Sequence, residues 1–147
     1  MNKLLKFTTL LVGIIFSISS HAASQYFGYW SPNCGGFGGS VNITKGDDIK
    51  VDVNNNNLYI SAKISVETNG YNIYFTDVIE SMNELIDWDN ISHENPIAIM
   101  NFKDDVATMD WLGFYDKSKH KYVWTTQSDF YIFAKKSKAI SLTKCHF

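Results

Sequence analysis

The chain contains no arginine; all 13 of its basic side chains are lysines. It therefore lacks the planar fork that grips phosphate in two-point fashion, and nucleic acid is not an expected partner. It has only two cysteines, Cys34 and Cys145, so a single intramolecular pairing is available. Long apolar runs are confined to the N-terminus, where Lys3 and Lys6 precede the apolar stretch Leu10 to Ile18 and the small-residue end Ser20-His21-Ala22. A membrane span needs about 20 apolar residues. The pattern instead predicts a secretory signal over 1–22 with cleavage after Ala22. The expected product is a periplasmic or secreted protein, soluble after cleavage, with one β-rich domain over 23–147. In an oxidising compartment Cys34 and Cys145 should form a disulfide, worth about 4–5 kcal/mol for so long a loop in the chain-entropy model.

Motifs of chemistry are also missing. The stretch "WSPNCGGFGG" at 30–39 places Gly36 and Gly38 as in a dinucleotide fingerprint, but Val41 stands where the third glycine belongs. No Gly-Lys-Ser/Thr follows, and Asn42 replaces the last glycine of a nucleophile elbow around Ser40. "HENPI" begins like a zinc helix, but Ile97 replaces the second histidine. "DVNNNNLYISAK" has three oxygen ligands of a calcium loop, but Asn57 replaces its glycine and Lys63 its bidentate glutamate. His93, His120 and His146 are scattered over turns and the end of the chain. The sequence calls for no cofactor or metal and names no catalytic set, so an enzyme is not the expected class.

What is present is mostly β pattern. Ile49, Val51 and Val53 alternate with polar residues. After four asparagines, Leu58, Ile60, Ala62, Ile64 and Val66 do the same, the period of a strand with one dry face. Asn69-Gly70 is a strong hairpin signal, and Tyr71, Ile73 and Phe75 resume the dry face. Val78, Ile79, Met82, Leu85 and Ile86 then fall at helical spacing, predicting a helix near 78–88 that Asp77 caps with Glu80 three residues on. Further strands are expected over 96–102, 107–115, 122–126, 130–134 and 139–145, with "KKSK" as the last turn. Short connections argue for antiparallel pairing. The expected fold is mostly β with one helix (α+β): an antiparallel sheet, sandwich or small barrel of about 8–10 strands.

Charge is unevenly placed. Residues 77–110 hold nine acids and one lysine, whereas 111–147 hold seven lysines and two acids. An acidic segment steers cationic partners. Its Glu80, Glu84, Asp87, Asp89, Glu94, Asp104 and Asp105, with Trp88 as an exposed aromatic to fill a cleft, are the candidate partner-binding residues. The chain also holds four Trp, eight Tyr and ten Phe, dense in "YFGYW" and "WLGFY", which offers stacking platforms for sugars.

Gly28-Tyr29-Trp30 resembles the G-x-W of lipocalin-type barrels. The resemblance covers three residues; those families also pack an arginine from near the last strand over the tryptophan, and this chain has none. It implies a calycin-like barrel carrying a small apolar ligand. The leading expectation is a binding protein that neutralises a cationic partner, such as a cell-wall hydrolase inhibitor or a toxin-immunity protein. A calycin-like carrier and a glycan- or peptidoglycan-binding module are the alternatives.

Overall fold

The computed structural model describes residues 25–46, 48–55, 57–82, 84–132 and 139–147. The signal expected over 1–22 and the "KKSK" turn lie outside the described residues. Ten strands are present among the described residues: β1 (Gly28–Ser31), β2 (Ser40–Ile43), β3 (Asp48–Asn54), β4 (Leu58–Glu67), β5 (Gly70–Ser81), β6 (Pro96–Lys103), β7 (Val106–Trp111), β8 (Phe114–Asp116), β9 (Lys121–Val123) and β10 (Ala139–Cys145). Eight of them, β1 to β7 and β10, pair antiparallel with their neighbours, and β10 returns to β1 to close a barrel. β8 and β9 form a separate ribbon that packs against β6.

Alternation along each strand builds the interior. Ile49, Val51 and Val53 of β3 face inward with Leu58, Ile60 and Ala62 of β4, Met100 of β6, Met109 of β7 and Ile140 and Leu142 of β10, all buried. With Trp30, Phe75, Trp111 and Phe130 they fill the barrel with side chains. Burial of this kind contributes about 1.5–3 kcal/mol per large apolar side chain.

The lower end is closed by the segment entering β1. Trp30 is fully buried and its Nε1 donates to the carbonyl of Tyr26 at 2.8 Å. Tyr26 packs on Phe27, Tyr71 and Phe102. Lys144 of β10 lies over the Trp30 ring, its Nζ 5.7 Å from the centroid. Its stem crosses Gly28, where a Cβ would stand 2.8 Å from Lys144 Cε. A lysine thus occupies the place for which the G-x-W resemblance led one to seek an arginine.

The disulfide joins Cys34 to Cys145 with Cα atoms 5.5 Å apart. Tyr29 pairs with Cys145 across the β1–β10 seam, so the bond clasps the barrel where its first and last strands meet.

The helix expected near 78–88 is absent among the described residues, because β5 runs on to Ser81. β4 draws it out: Tyr59 faces Glu80 and Ile60 faces Val78, so Ile79 is an extra residue at a bulge. The bulge sets two apolar residues side by side and mimics helical spacing. Burial does not follow that spacing, for Ile79, Met82 and Leu85 are exposed and Ile86 is buried. Asp77 Oδ1 accepts from the N–H of its own neighbour Val78 and caps no helix. Only two 3₁₀ turns occur among the described residues, Trp88–Asn90 and Asp129–Ile132. The second stands where a strand over 130–134 was expected, with Phe130 fully buried; residues 133–134 lie outside the described residues. The strand expected over 107–115 is cut at Leu112–Gly113 into β7 and β8, which belong to different sheets. That expected over 122–126 is β9, ending at Val123.

Candidate functional site

The upper end of the barrel carries the 54–57 turn, the long β5–β6 loop and the β7–β10 connection. In the β5–β6 loop, burial alternates with exposure. Ile86 and Ile91 are buried, and Trp88 stacks on Phe75 (5.5 Å between centroids) and meets Phe114 edge-on. The backbone is tied to the ribbon, with Ser92 N–H donating to the Tyr115 carbonyl and Lys117 N–H to the Asn90 carbonyl. Asn90 Nδ2 donates to Asp87 Oδ2 at 2.7 Å. These anchors hold up a ridge whose tip is apolar: Met82 is 73% and Leu85 87% exposed. Exposed acids surround the tip, Glu80 before it, Glu84 between Met82 and Leu85, and Asp87 and Asp89 after it.

The ridge separates two clefts. One, of about 310 Å³, lies between Leu85, Ile86 and Asp87 and the turn bearing Lys119 and Lys121. The other, of about 580 Å³, is bounded by Met82, Leu85, Glu84 and Asn57. Trp124 walls both. It holds φ +57, unusual for a bulky residue, and its carbonyl accepts from Trp111 Nε1 at 2.9 Å.

Electrostatics divide the neighbourhood. Asp116 is buried and accepts from Ser118 Oγ (2.6 Å), Ser118 N–H and Lys119 N–H. The Ser118 hydrogen bond foremost, and then Lys119, hold its carboxyl well below the usual carboxylate range. Lys119 Nζ pairs with Asp116 at 3.0 Å, so its charge is partly answered within the ribbon. Burial pushes the Asp129 carboxyl up, against a hydrogen bond from the Asn55 backbone. A third, smaller cleft of about 200 Å³ lies on the outer wall below the ridge, among Tyr29, Ser40, Asp52, Tyr59 and Glu80.

The acids named from sequence do not form one surface. Glu80, Glu84, Asp87, Asp89 and Glu94 belong to the upper end. Asp104 and Asp105 sit in the β6–β7 turn at the lower end, where Asp105 Oδ2 lies 3.5 Å from His146 Nε2. Trp88 is half-buried in an aromatic cluster and serves as an anchor of the loop; Met82 and Leu85 hold the exposed positions. Sequence reading missed these two because a helix would have turned them inward. It also missed Asp52 and Tyr59, which the hairpin brings face to face on its outer side. Their signal was the polar phase of the strand alternation on either side of the asparagine turn. Compared with known proteins, the chain matches no family model, no curated protein and no solved structure.

Proposed function

We propose that this is an exported binding protein that neutralises a cationic protein partner, such as a cell-wall hydrolase or a toxin, through the upper end of its barrel. The observation that carries this reading is the ridge: an apolar tip, flanked by acids, on a loop anchored by Ile86, Trp88 and Ile91. A buried apolar contact with charges around it is the usual anatomy of a protein interface, and acids around the tip select a basic partner and speed its approach. The pre-anchored loop has less freedom to lose on binding. Export is supported by the N-terminal pattern and by the disulfide; no helix among the described residues is long and apolar enough to cross a membrane.

Other readings draw less support. A carrier needs interior space, whereas the inward positions are filled by large side chains. The glycan reading calls for exposed tryptophans, yet Trp30 and Trp111 are buried and Trp88 and Trp124 half-buried.

The test is affinity capture from cell-envelope extract, with the wild-type protein beside an E84K/D87K double variant and L85D. Wild type is expected to retain a basic protein at low salt and release it as salt rises. Both variants should lose it, by about tenfold or more in affinity for the charge reversals, while the melting temperature falls by no more than loss of the one exposed Asn90–Asp87 hydrogen bond allows. Retention of the same protein by all three would overturn the proposal.

A further inference from the structure

The outer wall of a barrel is convex, yet below the ridge it is hollowed. The hollow follows one cross-strand row: Ser40 stands opposite Asp52, Asp52 opposite Tyr59, and Tyr59 opposite Glu80. Register shifts flank the row, between Asp52 and Asn54 on β3 and at Ile79 on β5; bulges of this kind re-aim side chains and bend the strand. Tyr29 on β1 closes the side, its ring buttressed edge-on by Phe147 at 5.5 Å.

We propose that this cup receives a single cationic side chain, a lysine or arginine of the protein partner. The inference rests on the binding reading above and says where the partner's charge goes. Two carboxylates, Asp52 and Glu80, stand on either side of Tyr59. Glu80 takes part neither in the Lys119–Asp116 ion pair nor in the His146–Asp105 contact, the two such pairings among the described residues. Lys50, two residues before Asp52 on β3, belongs to the neighbouring row with Asn42 and Ser61. Two tyrosine rings offer faces that attract a cation. Ser40 is only 4% exposed and lines the cup, where its hydroxyl can accept from an ammonium or guanidinium N–H. Burial, then Asp52, then Tyr29 push the Tyr59 hydroxyl up, so it stays neutral and able to donate. The volume, about 200 Å³, is below the range of about 300–1,000 Å³ usual for drug-sized ligands and suits one side-chain head. The cup opens beside Glu80, two residues from the ridge tip at Met82, so one partner can cover both.

The experiment is an NMR titration of the isotope-labelled protein with N-acetyl-lysine methylamide, the arginine equivalent, the norleucine equivalent and chitotriose. The two cationic amides should shift the resonances of Ser40, Asp52, Tyr59 and Glu80, and norleucine should not. Glu80→Gln, which keeps the shape, should weaken the lysine amide by about tenfold, the factor of one charge-assisted contact, and Ser40→Ala should weaken it less. Equal shifts with norleucine, or an unchanged affinity in E80Q, would overturn the proposal. So would chitotriose binding where the amides fail, which would make the cup a sugar subsite. If E80Q still captured the basic partner at full affinity while E84K/D87K lost it, the cup would be wrong and the ridge right. Lysine amide bound in the cup with no basic partner ever captured would leave the cup standing and sink the broader reading.

Discussion

Gly39 holds φ +78, and a Cβ there would stand 2.9 Å from two carbons of the Phe130 ring. The glycine-rich stretch reads in sequence as a candidate phosphate cradle or nucleophile turn. Its last glycine instead gives passage to a fully buried aromatic that caps the upper end. Gly39→Ala is expected to destabilise by about 1–3 kcal/mol, through the strained φ and the forced shift of the ring, read as a fall in melting temperature. A melting temperature equal to wild type would show that Phe130 is not seated there. The sequence excluded each phosphate or nucleophile motif residue by residue, but could not name Phe130 as the neighbour. That contact joins positions 39 and 130, and no local pattern reports a long-range approach. Lys144 illustrates the same limit: a lysine at the end of a strand reads as surface, and only the closed barrel places its stem over Trp30.

Among the elements, strands with one dry face and tight turns were plain in the sequence. β3, β4 and the start of β5 carry unbroken alternation, and their registers follow from the asparagine turn and from Asn69-Gly70. Where the alternation breaks, the reading failed. Ile79 at the bulge added one apolar residue and turned a period of two into an apparent period near four. The two structures make different demands: a helix over 78–88 would bury both Ile79 and Ile86, whereas the bulged strand leaves Ile79 exposed and the loop after it buries Ile86. Ile79→Thr is therefore expected to change stability by no more than about 0.5 kcal/mol, and Ile86→Ala to cost about 2–5 kcal/mol, measured by denaturant unfolding. Equal, large losses from both would restore the helix. The 3₁₀ turn at Asp129–Ile132 escaped for a related reason, since Phe130 and Ile132 also fit a strand and only Phe130 is buried.

For the molecule as a whole, charge was legible as composition but not as surface. One acidic segment in the chain becomes two acidic places, because successive strands run to opposite ends of the barrel; Asp104 and Asp105 fall away from Glu84 and Asp87. The disulfide was legible outright, because two cysteines allow one pairing. Its weight can be measured by melting the protein with and without reductant. Reduction is expected to cost about 2–5 kcal/mol, with loss of stability preceding any loss of lysine-amide binding in the cup. An unchanged melting temperature would mean that strand pairing alone holds the seam. The seam also orders events in time. β1 finds one neighbour, β2, within a few residues, but its other neighbour is β10, and the thiols that lock them are 111 residues apart in the chain. A chain emerging N-terminus first must carry an unpaired strand edge and a reduced Cys34 until nearly all of it has been delivered. The meander can pair strand by strand as it appears, but the cylinder closes only when β10 arrives. Formation of the Cys34–Cys145 bond is thus a record of completion, and a chain cut short before β10 would keep an open edge ready to pair with its neighbours.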